Sequence, residues 1–426
     1  MTVEGFRLRE TRYPLEMESS FKSSDSRLEA VIPVALRGLQ MCAHETYMDC
    51  PYYEQMMYVG DTRLEALTTY AISSDDRLPR KAIKLFELSR LPEGFTQARY
   101  PGRDQQLIPP FALWWIGMVY DYALWRGERA FIGEMLPGVR AVLDGFLAYM
   151  GDGNLVQSPP TGWNFYDWVA DWPSGVPPSG YEGYSGLLNW HLVYTFGLAA
   201  QLEEWAGESW PAQRWRDWRD TVAAACKASF WDEGNGLFAD DLTHAHFSEH
   251  TQCLALLSGA LAGEQYTRTA QNLLSNTALT RTTIYFTHYL FETYRLLERP
   301  EAFFSRMGLW FDMPAQGFKT TPEQPEPSRS DCHGWGAHPL YHYFASLLGI
   351  RPGTFGFESV EMAPMPGHLT QLSGEMVHPQ GRIGVNLHFE KGGMRGDVWL
   401  PAGLEGILRY CGKIAVLKPG QQTIEL

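Results

Sequence analysis

The sequence predicts a mainly α-helical chain, an (α/α)6 barrel of six helical hairpins followed by a small antiparallel β-sandwich. Three observations predict it. From about residue 25 to 350, apolar residues recur at three- and four-residue spacing, in runs of roughly ten to twenty broken by Gly, Pro, Asn and Asp clusters. The runs number twelve, the count that six hairpins closed into a ring require. After Pro352 the period changes to alternation with turn punctuation, the mark of short antiparallel strands.

The elements follow in order. Residues 1–20 read as an extended segment leading into the helices. Helices are expected near 25–44, 61–73, 81–91, 109–126, 129–150, 185–205, 211–230, 249–261, 264–275, 283–297, 299–307 and 336–349. Ser24, Asp25 and Ser26 offer caps for the first, and Ser26 with Glu29 has the capping-box spacing. The long segment 151–184 lacks helical period and is rich in Gly, Pro and aromatics, which predicts a structured functional loop. A second such loop is expected over 308–335. Hairpin turns are expected at Pro379-Gln380-Gly381 and Lys391-Gly392-Gly393. The expected domains are thus a 1–20 lead-in, a barrel over 21–350 and a β-sandwich over 351–426.

Composition narrows the function. The formal net charge is −14, and no lysine/arginine run supplies the basic stripe that nucleic acid or an anionic membrane needs. No apolar run reaches the roughly 18 residues of a membrane span. The six cysteines are scattered without CxxC pairs, so reduced, buried thiols are expected. The first twenty residues lack the basic start and apolar core of a signal peptide, so the expected location is cytoplasmic, with upstream domains an open question. Nothing in the sequence sets the oligomeric state. Aromatic residues make up 14% of the chain, and Trp163, Trp168, Trp172 and Trp335 fall in loop-like contexts where sugar stacking or wide helix seams would place them.

The stretch DCPYYEQMMYVGDTR, residues 49–63, carries most of the chemistry. Asp49, Glu54 and Asp61 sit among Tyr52, Tyr53, Met56, Met57 and Tyr58, which look half-buried. Sugar-cleaving sites combine carboxylates that move protons with apolar walls that raise a pKa. Three acids in one loop cannot all ionise freely, and Glu54, bracketed by Tyr53 and Met56, is the expected protonated acid. An acidic cap cluster is the competing reading, with Asp61 as an ordinary N-cap for a helix starting at Thr62. The 308–335 loop offers Glu323, Glu326 and Asp331 near Arg329, His333 and Trp335 as a second carboxylate source, and the 162–172 segment adds Asp167 beside Trp168. Solvated loop acids and a structural aspartate are the alternatives there. His244, His246 and His250 lack an HExxH pattern, no metal site or cofactor is expected, and no phosphate loop, GxSxG elbow or dinucleotide fingerprint appears.

DCPYYEQMMYVGDTR after FKSSDSRLEA, the YDW segment and the late TTPEQPEPSRSDCHGWGAHP together resemble the bacterial α-L-rhamnosidase family over nearly the whole chain. The resemblance implies the barrel and C-terminal sandwich, and inverting, metal-free hydrolysis of terminal α-L-rhamnose, so the implied partner is a rhamnose-containing glycoside. Matched by position, it makes Glu54 the general acid and Asp49 and Asp61 holders of the sugar hydroxyls. The family's base glutamate follows a Thr-Thr pair ahead of a sugar-contacting histidine, which implies Glu323 with His333. Many members carry a tryptophan before that glutamate where this chain reads TTPEQPE, so Glu326 stays as the alternative base. Asp167 and Trp168 match a DW pair near the sugar, and Trp168 and Trp335 are expected to wall its methyl side. Two other readings compete. One is another six-hairpin carbohydrate-active enzyme, a different glycosidase or a sugar epimerase; the other is a non-catalytic carbohydrate-binding barrel.

Overall fold

Eleven of the twelve expected helical segments form continuous helices in the computed structural model, which describes residues 4–426. These are α1 (Ser26–Met41), α2 (Val59–Ile72), α3 (Arg77–Leu88), α4 (Pro109–Trp125), α5 (Arg129–Leu147), α6 (Gly186–Ala206), α7 (Ser209–Ser229), α8 (Glu249–Leu257), α9 (Gly263–Ser275), α10 (Thr287–Leu296) and α11 (Pro300–Arg306). The 308–335 loop opens with two single turns, α12 (Gly308–Phe311) and α13 (Met313–Gln316). The twelfth segment, expected as one helix over 336–349, is instead a 3-10 turn at Gly334–Ala337, the single turn α14 (Pro339–His342) and a π turn at Tyr343–Leu347. Pro339 explains the break, since it has no amide to continue a helical ladder.

The helices form two layers, and their sequences say why. Every residue of α2 is buried, its Asp61, Arg63 and Glu65 included, as is nearly all of the apolar α4, so neither helix shows a one-sided apolar stripe. The α3 helix buries only Leu78, Pro79, Ala82, Ile83 and Phe86, the stripe of an outer helix. In contact order α2 packs on α4, α4 on α6, α6 on α8 and α8 on α10, while α14 returns to α2. Each of these helices up to α10 also packs against the helix that follows it in sequence. The α1 cap is Asp25, whose carboxylate accepts from the Arg27 amide at 3.1 Å, and Glu29 accepts from the Ser23 amide at 2.6 Å. The expected Ser26–Glu29 box is therefore displaced, because the helix starts at Ser26 itself.

The strands are β1 (Ser20–Ser23), β2 (Trp231–Asp232), β3 (Leu237–Phe238), β4 (Ile350–Pro352), β5 (Ser359–Met362), β6 (Gln371–His378), β7 (Gly381–Glu390), β8 (Gly393–Leu400), β9 (Glu405–Tyr410), β10 (Lys413–Leu417) and β11 (Gly420–Glu425). One sheet runs β1-β6-β7-β8-β11 and another β10-β9-β5-β4, with β2 and β3 a separate pair among the helices. Both expected hairpin turns are present, between β6 and β7 and between β7 and β8. The pairing is antiparallel except that β5 runs parallel to β9. Strand β1 pairs with β6, Ser20 opposite Glu375, so the chain entering α1 is anchored in the C-terminal sheet. Among the described residues, no helix is long and apolar enough to cross a membrane.

Candidate active site

Four segments converge on one cavity of about 320 Å³: the turn leading into α2, the start of α4, the 151–185 loop and the 317–335 excursion. Carboxylates of Asp49, Glu54, Asp61 and Glu323 line it with Arg329 and His333. Its apolar walls are Trp163, Phe165, Trp168 and Trp335, with Phe111 and Ile108.

The first turn of α2 delivers Asp61. The helix begins at Val59 with Tyr58 in the extended cap position, so Asp61 lies inside it and is not the N-cap that a start at Thr62 would have made it. A Cβ on Gly60 would stand 2.6 Å from Phe111 and from the Tyr285 hydroxyl, so a side chain there would push this turn off its neighbours. Asp61 is 2% exposed, and its Oδ1 lies 3.0 Å from His333 Nε2. Burial pushes Asp61 well above the usual carboxylate range and His333 below the usual imidazole range. Asp49 closes the preceding turn, its Oδ1 accepting from the Met56 amide and its Oδ2 from the Cys50 thiol, each at 3.1 Å. Burial raises it to about 6 against the pull of His333.

Asp49 and Asp61 are thus two carboxyls of this loop that burial pushes up. Glu54 is partly exposed and accepts from three groups: Tyr58 Oη at 3.3 Å, Arg99 Nη1 at 3.3 Å and Arg329 Nη1 at 3.2 Å. The flanking rings depart from expectation. Tyr52 is 78% exposed and Tyr53 50%, leaving Met57 and Tyr58 as the buried members.

The 317–335 excursion folds back on itself. The His333 amide donates to Thr321 O at 2.7 Å and the Glu323 amide to Ser330 O at 2.8 Å, while the Trp335 indole donates to Glu323 O at 2.8 Å. These bonds turn Glu323 into the cavity at 5% exposure. Glu326 points the other way, lining a shallow surface depression with Asp331 and accepting from the Ser328 amide. Trp335 stacks on Tyr285 with centroids 4.6 Å apart, and Trp168 packs on Phe165 at 4.9 Å.

Asp167 does not reach the cavity, although its neighbour Trp168 does. It is fully buried, accepting from the Thr283 amide at 2.7 Å, the Thr283 hydroxyl, the Trp168 amide at 3.0 Å and His250 Nε2 at 2.9 Å. Both oxygens are occupied, so it ties the loop to α8 and the start of α10. The structural-aspartate reading fits it and the sugar-contact reading does not.

Sequence reasoning missed Arg99 and Phe111, since nothing local marks them, and placed Tyr58 among the half-buried rings of the acid loop without a partner for its hydroxyl. It also missed Glu65, one turn after Asp61, which is fully buried with neither oxygen hydrogen-bonded among the described residues. Burial and the neighbouring Asp61 and Asp49 raise its pKa well above the usual range. Its carboxyl fills the space a Cβ on Gly334 would take, which fits glycine at that position. Two groups bring candidate metal-ligand atoms within 4.8 Å of one another: Asp49, Cys50 and His333, and His288, His338 and His342. In the second, His342 Nε2 meets His288 Nδ1 at 3.1 Å, a bond that neutral imidazoles satisfy unaided. The triplet His244, His246 and His250 is dispersed, each ring on a different aspartate.

Helical hairpins bearing a cavity of carboxylates and aromatic rings define the class of six-hairpin glycosidase domains. Residues 16–286 match the family model for the bacterial alpha-L-rhamnosidase 6 hairpin glycosidase domain, and the chain belongs to that family. A GH78 family rhamnosidase of Bacillus sp. GL1 superimposes with a TM-score of 0.86 at 26% identity, over 93% of this chain and 43% of its own. The α-L-rhamnosidase of Aspergillus terreus gives 0.84 at 15% identity, over 97% and 51%. The Streptomyces avermitilis α-L-rhamnosidase, solved with L-rhamnose, gives 0.80 at 16%, over 97% and 43%. The chain thus spans about half the length of these solved relatives. A search of curated proteins returned no match.

Proposed function

We propose that this chain is an inverting glycoside hydrolase that removes terminal α-L-rhamnose from rhamnosides, with Glu54 as general acid and Glu323 as general base. The observation carrying the proposal is that these glutamates, far apart in sequence, face one cavity and share the Arg329 guanidinium, at 3.2 Å and 3.7 Å. A single guanidinium spanning both keeps the oxygens no further apart than about 9 Å, compatible with the roughly 6.5–9.5 Å of inverting sites. The Bacillus relative is named as a rhamnosidase and the Streptomyces relative was solved with L-rhamnose, which supports this sugar.

In the proposed single displacement, Glu54 gives its proton to the glycosidic oxygen as the bond to the anomeric carbon breaks. Glu323 takes a proton from the water that attacks that carbon from the opposite face, through an oxocarbenium-like transition state. Asp49, Asp61 and His333 hold the ring hydroxyls, and Trp168 and Trp335 wall its methyl side. Burying that methyl is worth about 1 kcal/mol, a bias toward a deoxy sugar.

The cyclic contact order of α2, α4, α6, α8 and α10, with α14 touching α2 and His342 reaching His288 of α10, supports closure of the helices into an (α/α)6 barrel. We read the barrel as 21–350 and the β-sandwich as 351–426, the latter borrowing β1. Six thiols with no disulfide support a reducing, cytoplasmic setting.

The test is release of rhamnose from p-nitrophenyl α-L-rhamnoside and from a natural rhamnoside with a poor leaving group. Glu323→Gln is expected to lose about 10²–10⁴-fold on both. Glu54→Gln is expected to lose as much on the natural substrate but less on the nitrophenyl one, whose leaving group needs little protonation. Full rate of Glu54→Gln on the natural substrate would rule out the assigned acid.

A further inference from the structure

Arg329 stands between the two glutamates. Its Nη1 donates to Glu54 Oε1 at 3.2 Å, its Nε lies 3.7 Å from Glu323 Oε2, and its guanidinium covers the Tyr53 ring with 5.1 Å to the centroid. Among the described residues lining the cavity it is the one lysine or arginine, and 48% of its side chain faces solvent. It therefore lies at the cavity mouth beside the exposed Tyr52 and Tyr53 rings.

Hydrolysis requires the glycosidic oxygen to approach Glu54 and a water to approach Glu323. A guanidinium bridging the two occupies that ground and has to swing outward, toward the aglycone, as substrate enters. Leaving forfeits two ion pairs at a half-exposed position. A neutral aglycone offers the displaced guanidinium only Tyr53 and water. An aglycone with its own carboxylate beside the linkage offers a planar, bidentate partner, which a guanidinium matches in geometry as well as charge. Of the other charged groups facing this ground, Glu54 and Glu323 are the carboxylates the displaced guanidinium leaves behind, and they set a counterweight to such a ligand. Asp49 and Asp61 are buried, with their pKa values pushed upward by that burial, and Arg99, held by Glu54 and Tyr58 at 3.3 Å and 3.2 Å, adds a second cation beside Glu54.

We propose that Arg329 is the aglycone-recognising residue and that the favoured substrates carry rhamnose on an acidic sugar, a uronic acid. This rests on the rhamnosidase reading above.

The test compares kcat/KM on three substrates of one linkage: a rhamnosyl glucuronic acid, its methyl ester, and the matching rhamnosyl glucose. Wild type is expected to favour the free acid by about two- to fivefold over both neutral partners, the worth of one exposed ion pair. Raising the salt concentration is expected to shrink that preference, as screening requires. Arg329→Met is expected to bring the ratio near one, and Arg329→Lys to keep part of it. Turnover of all three substrates without preference, or a preference that survives Arg329→Met or high salt, overturns the proposal. The salt series needs no variant to fold. If wild type releases rhamnose neither from these substrates nor from p-nitrophenyl α-L-rhamnoside, the rhamnosidase reading fails and this inference falls with it.

Discussion

His333 Nε2 lies 3.0 Å from Asp61 Oδ1, joining positions 272 residues apart in two buried side chains. Burial drives both toward their uncharged forms, the acid upward and the imidazole downward, so the pair carries one hydrogen bond and little net charge. Asp61→Asn keeps a donor and an acceptor in place and is expected to change stability by less than about 1 kcal/mol. His333→Ala strands the buried carboxyl and is expected to cost about 1–3 kcal/mol. Urea unfolding at neutral pH measures both. A larger loss for Asp61→Asn than for His333→Ala would mean that the pair is ionic after all.

Asp49 makes stability depend on pH with a definite sign. Its folded pKa of about 6 exceeds the ordinary 3.8, so the folded state holds the proton more tightly than the unfolded chain. The associated stability is fully present below about 3.8 and is lost as pH rises through about 6, roughly 3 kcal/mol in all. Asp49→Asn removes this titration. Relative to wild type, the variant is expected to gain stability between pH 4 and pH 7. Denaturant unfolding of both proteins across that range checks it, and a difference that stays flat or reverses sign contradicts the buried-acid account.

The acid loop was legible because its three carboxylates lie within thirteen consecutive residues, and outer helices such as α3 because their apolar stripe survives in a single sequence. What was not legible depends on distant partners. That Glu323 faces the cavity and Glu326 does not turns on a backbone bond from Glu323 to Ser330 and an indole reaching back from Trp335, a fold-back that no residue pattern announces. Asp167 carries the same sequence cue as a sugar contact, yet Thr283 and His250, 116 and 83 positions away, fill its oxygens. Strand β1 straddles the expected boundary between the 1–20 lead-in and the barrel, and nothing local marks it as a strand because its partner, β6, lies near the other end of the chain.

Arg63 and Asp121 join α2 to α4 through a buried ion pair at 2.9 Å, with the guanidinium also 5.0 Å from the Trp114 ring centroid. Arg63 lies two residues after Asp61, in the helix that presents it. Arg63→Met leaves the Asp121 carboxylate without its cation and is expected to lose about 3–5 kcal/mol, whereas a double change to apolar residues of similar volume is expected to recover most of that. Thermal unfolding of the two single variants and the double variant closes the cycle. Independent, additive losses would show that the two side chains do not act as a pair.

The spacing of Glu54 and Glu323 carries a stereochemical consequence. One guanidinium reaches both carboxylates, yet its Nε stops 3.7 Å short of Glu323, longer than a direct charge-assisted bond of roughly 2.7–2.9 Å. The inverting separation proposed above, roughly 6.5–9.5 Å, leaves room for a water opposite the leaving group, whereas a nucleophilic glutamate would have to approach the anomeric carbon within bonding reach from about 5 Å across the site. Attack by water inverts the configuration, so the first sugar released from an α-rhamnoside is expected to be β-L-rhamnose. Proton NMR of the anomeric signals during the first minutes of hydrolysis, before mutarotation mixes the two forms, reads this directly. Early accumulation of the α-anomer would require a covalent rhamnosyl-enzyme and would reassign Glu323 from base to nucleophile.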